Sequence, residues 1–164
     1  ALAGLSPVMG AVRRFAAAGG PVLGICNGFQ VLCEAGLLPG ALLPNCGLRF
    51  VCREVEVEVA SAATPFTRCT EPGTRLRIPV KHQSGRYWAP PDVLDTLERT
   101  GRVVFRYAPG HNPNGSERNI AGVVSAEGNV VGLMPHPEHA VDALLGSADG
   151  AVLFECVARA EVAA

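Results

Sequence analysis

Hydrophobic positions recur at two different periods along the chain, and the switches between them divide it into elements. Val8, Val12 and Phe15 fall at helical spacing after Ser6-Pro7, a capping residue type followed by a proline that a first turn tolerates, and Gly19-Gly20 ends the run. The pattern predicts a helix over about 7–18. Pro21-Val22-Leu23-Gly24-Ile25 is an unbroken apolar segment bounded by glycines, as a buried parallel strand requires. Residues 27–35 return to helical period through Phe29, Val31, Leu32 and Ala35, with Gly36 as a left-handed cap, so Cys26 occupies a strand-to-helix turn. From Leu48 to Val59 the period becomes two: Val51, Val55, Val57 and Val59 are separated by Arg53, Glu54, Glu56 and Glu58. That is a half-exposed antiparallel strand, expected at a sheet edge with its acidic face solvated.

Leu76 to Val80 predicts a further strand, interrupted by a polar loop over Lys81-His82-Gln83-Ser84-Gly85-Arg86-Tyr87. A short helix over 92–99 has Asp92 near its start. Three more strands, 103–107, 120–124 and 130–134, are separated by turn-rich linkers at Pro109–Gly115 and Glu127-Gly128-Asn129, and 148–160 reads as a closing apolar helix. Helices alternating with strands of both kinds around one sheet predict an α/β layered sandwich.

Two clusters in this frame carry chemistry. Gly24-Ile25-Cys26-Asn27-Gly28 has the small-x-nucleophile-x-small form of a nucleophile elbow, in which both glycines permit a sharp turn that lifts the thiol above the sheet. At the start of helix 27–35 the sulfur meets unpaired amides and the positive end of the helix dipole, which favour thiolate, and the Asn27 amide can stabilise an oxyanion. Met134-Pro135-His136-Pro137-Glu138 is the second. Each proline pushes the residue before it to extended backbone, and extended residues two apart share a face, which brings His136 and Glu138 together as a base and its orienting carboxylate. Both clusters fall at the C-terminal ends of strands, the edge where open α/β sheets place ligands. Taken singly, each has a structural reading: a buried cysteine in a tight turn, and a histidine closing a proline-rich strand end. His82 could reach a polar substrate from its loop or simply lie on the surface, His111 is expected to be solvated in its turn, and His139 to touch the site edge or a partner.

Composition narrows what this site can serve. A net charge of −1 without basic clusters leaves no footprint for nucleic acid or an anionic membrane. No apolar run approaches a membrane span and no signal peptide is evident, so a soluble, cytoplasmic protein is expected. The six cysteines contain no C-x-x-C pair, which argues for mostly reduced thiols and for no metal site.

Gly-Ile-Cys-Asn-Gly-Phe-Gln at 24–30, flanked by Gly20-Pro21-Val22-Leu23 and Leu37-Leu38-Pro39-Gly40, resembles the class I glutamine amidotransferases. Asn112-Pro113-Asn114-Gly115-Ser116, Ile120-Ala121-Gly122 and Met134 to Glu138 resemble, in the same order, the glutaminase subunits of phosphoribosylformylglycinamidine synthase within that family. The resemblance runs through nearly the whole chain. It implies an α/β fold of class I glutamine amidotransferase type, a flavodoxin-like three-layer sandwich with a mixed sheet, as one domain over 1–164 that is truncated at its N-terminus. It implies catalytic Cys26, His136 and Glu138, with Gln30 shaping the glutamine pocket, beside which Asn27 and His82 stand as the candidate substrate contacts read from the residues themselves. It implies glutamine hydrolysis through a Cys26 thioester, with ammonia passed to a synthetase subunit for de novo purine synthesis. ATP and magnesium are expected on that partner and no cofactor on this chain, with a small accessory subunit completing the complex.

Two departures from the family pattern bear on this expectation. A glycine-rich loop that donates a second oxyanion amide ordinarily precedes the point where this chain starts, and Gln83-Ser84 stands where the family carries an acidic residue. The competing expectations are a docking module without turnover, motivated by that missing loop, and an amidotransferase of another pathway such as GMP or CTP synthesis.

Overall fold

The computed structural model describes residues 6–162. Helix α1, Pro7–Ala17, leads into strand β1, Val22–Ile25, and helix α2, Asn27–Glu34. Then come β2 (Ala41–Pro44), β3 (Val51–Val59), β4 (Arg75–His82), β5 (Ser84–Trp88), α3 (Pro91–Arg99), β6 (Val103–Tyr107), β7 (Ile120–Val124), β8 (Val130–Leu133) and α4 (Ala151–Val162). Six strands form one sheet in the order β1-β8-β7-β6-β3-β4, with β1 and β8 parallel and the other neighbours antiparallel.

Two apolar cores lie on opposite faces of this sheet. Val130 and Met134 join Ala16, Phe29, Leu32, Leu94 and Leu97 on the face carrying α1, α2 and α3, while Val131 and Leu133 join Phe105, Ile78 and Leu153 on the face carrying α4. Alternation along one strand therefore feeds both layers, which is why β8 is buried at every position. Phe29 is wholly buried, and its ring stacks on Tyr87 with centroids 5.7 Å apart. It anchors α2, and with α2 the position of Cys26; truncating such a residue costs about 3–5 kcal/mol.

Two sequence expectations change, and two further features come from packing alone. The buried face of α1 is Met9 and Ala16 with Val12 beside them, whereas Val8 and Phe15 are exposed, because the helix is rotated on the sheet relative to its most apolar stripe. The segment after His82 is no loop: β5 pairs antiparallel with β2 as a separate two-stranded ribbon, a pairing across some forty residues that no local pattern reveals. Strand β3 is not at the edge, since β4 covers one side along eight residues and β6 the other at its C-terminal end; its polar face arises from solvent on the sheet surface. Finally, Cys69 and Cys156 form a disulfide 87 positions apart in sequence, so only Cys26, Cys33, Cys46 and Cys52 are free.

Candidate functional site

Cys26 sits between β1 and α2 with φ 51°, ψ −107°, a backbone conformation that L-residues rarely adopt. Its N–H donates to the Leu133 carbonyl at 2.8 Å, which fastens the elbow to β8. Gly24 is required by close approach: a Cβ there would stand 2.8 Å from the Gly28 carbonyl oxygen and run into the Leu32 side chain. Gly28 meets nothing within 4 Å, so packing demands the first elbow glycine and not the second. Asn27 is exposed at the first position of α2, where backbone N–H groups have no partner within the helix. This is the geometry expected of an oxyanion donor.

His136 and Glu138 meet, but by a different route from the extended pair inferred above. Pro137–His139 is a turn of 3-10 helix capped by His136, whose φ of −103° and ψ of 84° end the extended run. The turn folds the carboxylate back onto the ring, and Nδ1 lies 2.6 Å from Glu138 Oε1. The His136 N–H donates to the Pro79 carbonyl at 2.8 Å, tying the turn to β4. The Cys26 sulfur does most to push the His136 pKa up; burial opposes the rise and Glu138 adds to it. Nevertheless the hydrogen bond of Sγ goes to the Lys81 carbonyl at 3.9 Å, and His136 Nε2 is buried without a partner among the described residues. Thiol and imidazole are neighbours whose hydrogen bond is not closed, as is common before substrate tightens such a site.

Contrary to a surface position, His82 is 4% exposed at the end of β4, where burial and then the nearby His136 lower its pKa to about 4. Its Nε2 lies 3.0 Å from Asn114 Nδ2, and Gly85 backs the same ring edge so closely that any Cβ would collide with the imidazole. Asn114 is 1% exposed and held by Ser116, Gly85 and Tyr107. The turn chemistry of 112–116 is legible in sequence, since Asn112 Oδ1 accepts the N–H groups of Asn114, Gly115 and Ser116. Nothing in the sequence signals that Asn114 points inward from that turn. His111 is exposed as expected, although its Nδ1 accepts from the Glu56 N–H.

The Gln30 N–H donates to the Cys26 carbonyl at 3.3 Å, while its side chain runs along α2, with Nε2 donating to Glu34 Oε1 at 2.9 Å. The Gln83-Ser84 departure is exposed at the junction of β4 and β5. Cys33, pushed up to about 12 by burial and then by Glu34, is a poor nucleophile beside Cys26. His139 stacks on His136 with centroids 5.1 Å apart, and its Nδ1 lies 2.7 Å from Lys81 Nζ. Ligand atoms of His136, Glu138 and His139 fall within 4.8 Å of one another, a spacing that could hold a metal ion. The Lys81 ammonium beside them opposes a second cation. No helix among the described residues is long and apolar enough to cross a membrane.

Comparison with known proteins adds the family. Residues 3–150 match the CobB/CobQ-like glutamine amidotransferase domain. The chain is 63% identical to phosphoribosylformylglycinamidine synthase subunit PurQ of Nocardia farcinica, over 94% of this chain and 68% of that protein. It is 58% identical to the subunit of the same name from Thermus thermophilus, over 94% and 70%. Among solved structures it is similar to PurLQS from Thermotoga maritima, with a TM-score of 0.86, 42% identity and coverage of 96% of this chain and 70% of that one. An elbow cysteine facing a histidine–carboxylate pair on a mixed-sheet α/β fold, together with these likenesses, means that the chain belongs to the PurQ family of class I glutamine amidotransferase subunits.

Proposed function

We propose that this chain is the glutaminase component of a phosphoribosylformylglycinamidine synthase. The observation that carries the reading is the His136–Glu138 pair, closed at 2.6 Å, beside a cysteine on a strained elbow at a helix N-terminus. Cys26 loses its proton to His136 Nε2, and the sulfur attacks the side-chain amide carbon of glutamine. The resulting oxyanion is met by the Asn27 amide. Collapse breaks the C–N bond as His136 returns the proton to nitrogen, releasing ammonia and leaving a γ-glutamyl thioester on Cys26. Water, deprotonated by His136, then attacks the thioester; the C–S bond breaks and glutamate leaves. Glu138 holds the Nδ1–H tautomer and offsets the imidazolium that forms twice in the cycle.

The ammonia passes to a synthetase subunit, on which ATP and magnesium drive conversion of formylglycinamide ribonucleotide to the amidine in purine synthesis, with a small accessory subunit in the assembly. Family membership and the PurLQS likeness support that partner class. The test is acid quenching during turnover of labelled glutamine, followed by peptide mapping. Label on the Cys26 peptide is expected, and turnover without label on that peptide would overturn the mechanism. Parallel acceptor assays with formylglycinamide ribonucleotide, XMP and UTP synthetase partners separate this pathway from others; ammonia transfer to either of the latter two would overturn it.

A further inference from the structure

In the buried polar cluster beneath the site, the hydrogen-bond directions are fixed by the partners. Asn114 Oδ1 accepts from the Ser116 N–H at 3.0 Å and from Ser116 Oγ at 2.7 Å, while Nδ2 donates to the Gly85 carbonyl at 2.8 Å. A backbone N–H can only donate and a carbonyl can only accept, so the amide cannot be flipped. The atom that Asn114 turns toward His82 is therefore a donor, and Nε2, 3.0 Å away, must accept. A neutral imidazole accepting at Nε2 carries its proton on Nδ1.

That second nitrogen is buried without a partner among the described residues, on the ring side opposite Gly85. A buried, unmet N–H costs about 1–3 kcal/mol, which a structure retains where a ligand supplies the acceptor. Its neighbourhood is that of the nucleophile. The carbonyl of Lys81, one residue before His82, contacts Cys26 Sγ, and the adjacent Pro79 carbonyl holds the His136 backbone.

We infer that Asn114 is a positioning residue that holds His82 in its Nδ1–H tautomer, and that this N–H is a donor to an oxygen of bound glutamine. The inference rests on the glutaminase reading of Cys26. Ser116 fixes Asn114, Asn114 fixes the ring, and the ring presents one uncharged donor. An ammonium or guanidinium in the same place would also bind glutamate product through its charge.

Ring-nitrogen NMR of the wild-type chain at pH 7 is the first test: a proton on His82 Nδ1 and a lone pair on Nε2 are expected, and the reverse tautomer or an imidazolium overturns the inference. Kinetics with the synthetase subunit present are the second. Asn114→Leu removes the donor that holds Nε2 as an acceptor and so releases the tautomer, so the glutamine KM should rise about 10-fold or more with kcat within about threefold. His82→Asn, whose amide can stand at the Nδ1 position, should keep a glutamine KM at least about 10-fold lower than His82→Gln, whose amide stands at Nε2. Equal KM values for those two variants overturn the donor assignment, and they decide the matter if Asn114→Leu does not fold. A glutamine-derived chloroketone separates the two readings. Failure to alkylate Cys26 in the wild type sinks the glutaminase assignment itself, whereas equal half-saturation of alkylation in wild type and folded Asn114→Leu sinks only the role of Asn114.

Discussion

His136 and His82 are neighbours with the same side chain, and the structure drives them in opposite directions. His136 lies in a 3-10 turn against Glu138 and Cys26, and its pKa is raised by the sulfur first, with the carboxylate adding. His82 lies under the sheet end against an amide, and burial lowers its pKa to about 4, with His136 contributing. A carboxylate partner makes a ring that gathers and returns protons. An amide partner in a dry pocket makes one that keeps a single proton in a chosen place. The contrast shows how one site can hold two histidines without two competing bases.

The largest way to break that contrast is to remove the group that only one of them serves. Cys26→Ala should abolish glutamine-dependent synthesis while ammonia-dependent synthesis persists, measured in the assembly with the synthetase subunit; residual glutamine-dependent turnover would show that the sulfur is not the nucleophile. Next in size, Glu138→Gln should lower glutamine turnover by about 10²–10³-fold, because the orienting carboxylate does not itself react. The same variant should move the acidic limb of the kcat profile downward, since His136 must be neutral to accept the thiol proton and loses one influence that raises its pKa. An unmoved limb would detach Glu138 from His136.

The two rings should also leave opposite marks on stability. Between about pH 6.5 and 4 the unfolded chain protonates His82 while the folded chain does not, so its contribution falls as pH falls, by on the order of 3 kcal/mol across the window. For His136 the folded pKa is the higher one; its contribution is full below the unfolded value near 6.5 and is lost as pH rises through the folded value. Urea titrations of wild type and His82→Gln at pH 7 and pH 4.5 check the first: the acid-side loss should shrink in the variant. The smallest effect is expected from Ser116→Ala, which strips the Tyr87 N–H and Asn114 Oδ1 of a partner and should cost about 1–2 kcal/mol in the same titration. Its glutamine KM should rise less than that of Asn114→Leu.

Much of the site is legible in residue order. The elbow around Cys26 and the Pro-His-Pro-Glu run each join local backbone preference to local chemistry, so neighbouring residues are enough to nominate them for the roles proposed above. The route by which His136 meets Glu138 is not legible, because two prolines state where the chain departs from a helix and not that the next three residues close into a 3-10 turn. The surroundings of His82 are hidden more deeply. Their polarity reads as a surface loop, whereas β5 pairs with β2 and Asn114, held by Ser116 and Tyr107, meets the buried ring. A satisfied buried amide and a solvated one look alike in sequence.

Residue order alone sets the alternation of helix and strand periods, the position of Cys26 between β1 and α2, the choice of His136 and Glu138 as its proposed base and carboxylate, and the family these residues resemble. These depend on neighbours a few positions apart, where backbone sterics and side-chain chemistry act directly. Tertiary packing is needed to settle which face of α1 is buried, that β3 lies inside the sheet, that Cys69 meets Cys156, and that Asn114 reaches His82 across 32 positions. Such outcomes depend on which distant surfaces exclude water together, and no local preference carries that information.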